Sequence, residues 1–90
     1  VVKDNPEQHR FELEVEGKLA FSVYRRESGV VIFVHTEVPP ELGGHGVGSQ
    51  LANGALTLVR ERGEKVFARC PFIAAYIKKH PEFQDLLVQP

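Results

Sequence analysis

The stretch Val30-Val31-Ile32-Phe33-Val34-His35-Thr36-Glu37-Val38-Pro39-Pro40-Glu41-Leu42-Gly43-Gly44-His45-Gly46-Val47-Gly48-Ser49-Gln50-Leu51 decides the fold. Its opening is a continuous β-branched and aromatic run, the pattern of a strand apolar on both faces. Such a strand is central, and helices are expected to cover both of its sides. Pro39-Pro40 ends it, because proline cannot donate to a ladder. Four of the chain's eight glycines then fall between Leu42 and Ser49. Beyond them Val47, Leu51, Ala55, Leu58 and Val59 recur at helical spacing. That spacing predicts an amphipathic helix from about Val47 to Arg62, stopped by Gly63. Gly54 inside it costs about 1 kcal/mol against Ala, which points to close packing at that position.

Toward the N-terminus, Phe11, Leu13 and Val15 alternate with Glu12, Glu14 and Glu16. Leu19, Phe21 and Val23 resume the alternation after Gly17, so the two runs read as an antiparallel hairpin. The row of carboxylates is a solvated sheet face. Ser28-Gly29 is the next turn. Toward the C-terminus, Lys65–Ala68 is a short strand. Pro71 opens a helix over Phe72–Lys79, and His80-Pro81 closes it. Phe83, Leu86 and Leu87 pack a terminal segment onto the core. The order β-β-β-α-β-α gives an α+β fold, a mainly antiparallel sheet flanked by helices.

Ninety residues suit one domain, residues 1–90. Eleven basic and twelve acidic side chains leave a net charge of −1, so no electrostatic case for nucleic acid exists. No apolar run approaches the ~20 residues of a membrane span. Cys70 is the one cysteine, so no intrachain disulfide can form, and a reducing compartment, the cytoplasm, is expected. Val1-Val2-Lys3-Asp4 carries no signal-peptide pattern.

A glycine-rich turn from strand into helix has a specific use. Glycines permit positive φ and close approach of an anion, and the helix start offers free N–H groups and a partial positive charge. The loop lacks the Lys of a Walker A sequence and the final glycine of a dinucleotide fingerprint. Taken alone, it is equally a plain flexible turn.

The segment His35–Leu51 resembles the acetyl-CoA-binding segment of the GNAT N-acetyltransferase superfamily, whose pattern is Arg/Gln-x-x-Gly-x-Gly/Ala at a helix start. Gly46 and Gly48 occupy the glycine positions, and Gly43 replaces the Arg or Gln. The likeness is closer to the very short, single-domain YjdJ-type branch. Its marks are His35-Thr36-Glu37-Val38-Pro39, Gly43–Gly48 and Cys70-Pro71-Phe72-Ile73-Ala74-Ala75-Tyr76-Ile77, and it spans about Phe11 to Leu87. The resemblance implies a minimal GNAT-like fold that binds acetyl-CoA and acetylates an amine of a small molecule or protein. The cofactor would meet Gly43, Gly44, His45, Gly46, Val47, Gly48 and Ser49. Its pantetheine arm would lie between two splayed strands, against the backbone around Val38 and Cys70. Phe72, Tyr76 and Lys79 would complete the contacts. The N-terminal helices of a longer GNAT domain are missing, so the acceptor side would be open, in a monomer or weak homodimer.

Four side chains are candidates for chemistry. By strand alternation, His35 and Glu37 share a face with Val31 and Phe33. Cys70 ends the neighbouring strand, so His35 could activate its thiol for a thioester route. The other reading of Cys70 is a small buried hydrophobe. Glu37 could instead deprotonate the amine for direct transfer, its alternative being an exposed acid. Tyr76 resembles the GNAT tyrosine that protonates the leaving thiolate; it is otherwise a core residue. No His, Cys or carboxylate spacing suggests a metal. A noncatalytic acyl-CoA-binding module is the alternative function.

Overall fold

The computed structural model describes residues 1–44 and 46–88. Strands β2 (Arg10–Val15), β3 (Lys18–Glu27) and β4 (Val30–Glu37) form an antiparallel meander. Glu16-Gly17 and Ser28-Gly29 connect them, each pair with both residues at positive φ. That geometry matches the twist of the flanking strands, so the two turns fix the register. Leu13 falls opposite Ala20 and Phe11 opposite Ser22, all on the core face. Helix α1 (Val47–Glu61) crosses over to β5 (Lys65–Ala68), which joins β4 in parallel. Helix α2 (Pro71–Lys79) and a 3₁₀ segment at Pro81–Leu86 follow.

A short strand β1 (Lys3–Asn5) adds to β2, giving the order β1-β2-β3-β4-β5. Its polar sequence has no periodicity to announce it. Two tertiary contacts hold it instead. Val2 packs on Gly54, where an added Cβ would collide with the Val2 side chain. This is the close approach that the mid-helix glycine implied. Asp4, with a side chain only 6% exposed, accepts hydrogen bonds from the Tyr24 hydroxyl and from Arg62, with Arg26 3.6 Å away. Burial pulls the Asp4 carboxyl upward, but these donors outweigh it and hold it below the usual carboxylate value.

Both helices lie on one face of the sheet. They touch each other through Asn53 and Tyr76, and Leu51, Leu56, Ile73 and Ile77 join Phe11, Tyr24 and Phe33 in one core. The expected second layer of helices is absent among the described residues. On the opposite face Ile32 is only half-buried, Val34 is 42% exposed and Phe67 49% exposed. Side chains of the sheet give that face its partial cover, as where Arg10 lies 4.6 Å over the Phe21 ring. An uninterrupted apolar run carries no signal to separate that case from a helix overhead. Among the described residues no helix is long and apolar enough to cross a membrane.

Asp4→Asn should lower stability at neutral pH by about 2 kcal/mol, the worth of a charged hydrogen-bonded group. The folded-state pKa is depressed, so the carboxylate's contribution is present above the unfolded value near 4 and disappears as pH falls through the folded value. Urea unfolding across pH 2–7 should therefore show a large gap between wild type and variant at pH 7 that narrows at the acid end. Gly54→Ala should gain helix propensity yet lose amide protection across β1 in hydrogen exchange, because Val2 must move.

Candidate functional site

The site begins with an irregularity in β4. Tyr24 pairs with Phe33, but the preceding Val23 pairs with His35, leaving Val34 as the extra residue of a β-bulge. A bulge shifts the alternation by one residue. Past it, Thr36 faces the core side with Ser22, and His35 and Glu37 turn to the uncovered face. The sequence expectation, with His35 on the same face as Phe33, therefore fails at this one residue.

The pairing of β4 with β5 ends nearby. Phe33 faces Ala68 as the last pair, and the amides of Arg69 and Cys70 both close on the Phe33 carbonyl at 3.0 and 2.9 Å. Strand β4 runs on to Glu37, held by β3 alone. Its other edge, from Val34 onward, has no strand beside it among the described residues. Val38 continues from there, half-buried against the core.

Cys70 sits at the mouth of this gap, 2% exposed, at the N-cap of α2. Its thiol lies 3.3 Å from the Thr36 hydroxyl, which lies 2.9 Å from the hydroxyl of fully buried Ser22. The thiol partner is thus Thr36 and not His35. The His35 Nε2 instead meets Glu37 at 2.9 Å, with both side chains more than half exposed. Sequence reasoning brought Cys70, His35 and Glu37 together; the fold keeps the thiol on the covered face and the imidazole–carboxylate pair on the other. Ser22 and Thr36 were missed, because two hydroxyls in strands carry no signal until the bulge position is known.

After Pro39 a 3₁₀ turn at Pro40–Leu42 leads through Gly43 and Gly44 to α1. Gly44 at φ 81° and Gly46 at φ 72° occupy the left-handed region that favours glycine. Gly46 is the N-cap and offers no side chain, and the first turn of α1 holds no acid. The amide of Gln50 closes the first helical bond, onto the Gly46 carbonyl, so those of Val47, Gly48 and Ser49 precede the ladder. Gly48 abuts the Phe72 ring, where an added Cβ would come within 2.8 Å. His45, also expected here, lies outside the described residues. Beside the helix start runs a groove of about 250 Å³, lined by Ser49, Phe72, Ala75, Tyr76, Lys79 and His80. Tyr76 is stacked on His80 with centroids 3.8 Å apart, and its hydroxyl accepts from Asn53 Nδ2 at 3.2 Å. A larger hollow of about 450 Å³ over Glu12, Glu14 and Glu16 lies at the far edge of the sheet, away from this gap.

The end of the sheet thus holds a parallel pair that parts and a glycine turn leading from β4 into a helix with no side-chain cap. The family model for GCN5-related N-acetyl-transferases matches residues 10–86. The chain belongs to that family. This GCN5-related member is also similar to a Staphylococcus aureus protein solved in solution by NMR and described as a GCN5-like candidate N-acetyltransferase. The two share 29% identity and a TM-score of 0.74, over 100% of this chain and 89% of the other. No curated protein matches the chain.

In this GNAT chain the Ser22–Thr36–Cys70 hydroxyl–thiol row is a buried polar network. Thr36→Val should cost about 1–3 kcal/mol, because Ser22 loses its partner inside the core. Adding Ser22→Ala should recover most of that loss. Denaturant melts of the two variants measure both.

Proposed function

We propose that this chain binds acetyl-CoA and transfers its acetyl group directly to a primary amine of a small molecule or a protein. The observation that carries this is the open edge of β4 leading to the uncapped start of α1. The donor set there fits the group. Free amides at a helix start suit a pyrophosphate, and the positive-φ glycines let it approach the backbone. Val47, Gly48 and Ser49 would supply those amides, with Gly43, Gly44 and His45 forming the loop. The backbone of Val38 and Cys70 would hold the pantetheine arm. Phe72 and Lys79 would line its path along the groove. Acetyl-CoA supplies an activated acetyl thioester when bound.

The remaining tasks fall to two groups. The nucleophile must be a neutral amine, so a base must take its proton. Glu37, hydrogen-bonded to His35 on the uncovered face, serves as that base, with His35 as its partner. Tyr76 holds a proton at Oη for the leaving sulfur. The position of His35, away from the thiol, favours direct transfer over a Cys70 thioester. One observation keeps the thioester as a second reading: Cys70 sits at a helix start beside the same gap. The chain would act as one domain in a reducing compartment such as the cytoplasm.

Titration with acetyl-CoA by calorimetry should give saturable binding. Ser49→Glu should weaken it by an order of magnitude or more while leaving the melting temperature unchanged or higher, since an acid in the first turn suits the helix dipole but repels phosphate. In an acceptor screen of spermidine and lysine peptides, Glu37→Gln should lower turnover and keep cofactor affinity. Cys70→Ala should keep turnover. A mass gain of one acetyl group on wild type that Cys70→Ala abolishes would favour the thioester route. Saturable binding with no turnover of any amine would favour the noncatalytic module.

A further inference from the structure

Asn53 is an awkward residue for the middle of α1. Asn costs roughly half a kcal/mol against Ala in a helix interior. Its neighbour Gly54 is explained by Val2, whereas the Asn53 side chain has one described task, the bond from Nδ2 to Tyr76 Oη. Everything else about Tyr76 is fixed by packing. The ring stacks on His80 at an interplanar angle of 14° and leans on Phe83 at 6.2 Å. His80 is held in turn by its Nδ1, 2.8 Å from the Tyr76 carbonyl. The ring therefore has little freedom, and the direction of the hydroxyl proton is left to Asn53. Asn53 stands one helical turn beyond Ser49, and Tyr76 and Ser49 line the same groove.

We infer that Asn53 is a positioning residue that makes Tyr76 a proton donor toward the groove. An amide N–H can only donate, so the phenol oxygen accepts from Asn53 and its own proton stays uncommitted to Asn53. That proton is the one available to a ligand sulfur. When the carbon–sulfur bond breaks, the electron pair leaves on sulfur, the Tyr76 Oη proton moves to it, and the phenolate left behind keeps the Asn53 bond until solvent reprotonates it. The inference rests on the acetyl-CoA reading above. It concerns the polarity of one hydrogen bond and not its mere presence.

That distinction sets the test. Asn53→Asp keeps size and a hydrogen bond but reverses polarity, since a carboxylate accepts the phenol proton. Asn53→Gln keeps a donor. The chain has two tyrosines, so labelling tyrosine Cζ with carbon-13 gives two resonances, and Tyr76→Phe assigns them. In the free protein, Asn53→Asp should shift the Tyr76 resonance downfield, toward a donating phenol, with no loss of melting temperature. Saturating CoA should shift wild type and Asn53→Gln in that same direction and leave Asn53→Asp where it was. With the amine found in the screen, Asn53→Asp should lower kcat by the factor lost in Tyr76→Phe, on the order of 100-fold, and leave KM for acetyl-CoA in place. An unmoved resonance in free Asn53→Asp overturns the polarity. CoA binding that shifts Asn53→Asp as it shifts wild type, or shifts neither, overturns the positioning role. Failure of wild type to bind CoA at all overturns the acetyl-CoA reading itself, while the free-protein spectra still report the Asn53–Tyr76 polarity.

Discussion

The carbonyl of Phe33 accepts two amides, those of Arg69 and Cys70, and no pairing of β4 with β5 follows it. A parallel ladder needs each strand to keep advancing beside the other. Here β5 turns at once into α2, whose Pro71 cannot donate, while β4 continues straight along β3. The gap is therefore a consequence of chain direction. The two helices are placed by the same event. Helix α1 begins where β4 stops, and α2 begins where β5 stops, so their N-termini and the open strand edge gather at one end of the sheet.

The bulge at Val34 decides which chemistry meets that gap from which side. With regular alternation, His35 would follow Phe33 onto the covered face and stand where Thr36 now meets the Cys70 sulfur. One extra residue exchanges them. A hydroxyl row then occupies the interior, where each group finds a partner, and the imidazole–carboxylate pair occupies the solvated face. The exchange removes the imidazole from the buried thiol.

Much of this fold was legible in the sequence because local rules and tertiary structure agree. Gly17 and Ser28-Gly29 mark turns in both readings, α1 spans the predicted periodic segment to within a residue, and β5 and α2 fall where Lys65 and Pro71 suggested. Three things were not legible, each for its own reason. Strand β1 is specified by Asp4 meeting Tyr24 and Arg62, contacts between residues far apart in the chain. The bare face of the sheet leaves no mark on the apolar run of β4, whose outward side chains look the same covered or uncovered. The bulge is a pairing error of one residue against β3, invisible to any pattern read along a single strand, and it reversed the assignment of the residues that mattered most.

The uncovered face is the remaining constraint, and it bears on how the proposed reaction would be organised. Helices occupy one side of the sheet, and with them the glycine turn, the groove and Tyr76. The His35–Glu37 pair looks out on the other side, beside the free edge of β4. On the proposed reading, donor and acceptor then come from opposite faces and meet through the gap between β4 and β5. Water reaches a pair that is more than half exposed, so on that reading a base there would work at near-bulk dielectric, and the rate would come from holding the reactants in place more than from desolvation. The half-apolar face, with Val34 and Phe67 exposed and charged side chains around them, would offer an extended contact area. On the proposed reading, an amine carried on a larger body would draw binding energy there from contacts remote from the reacting nitrogen, which a free small amine would lack.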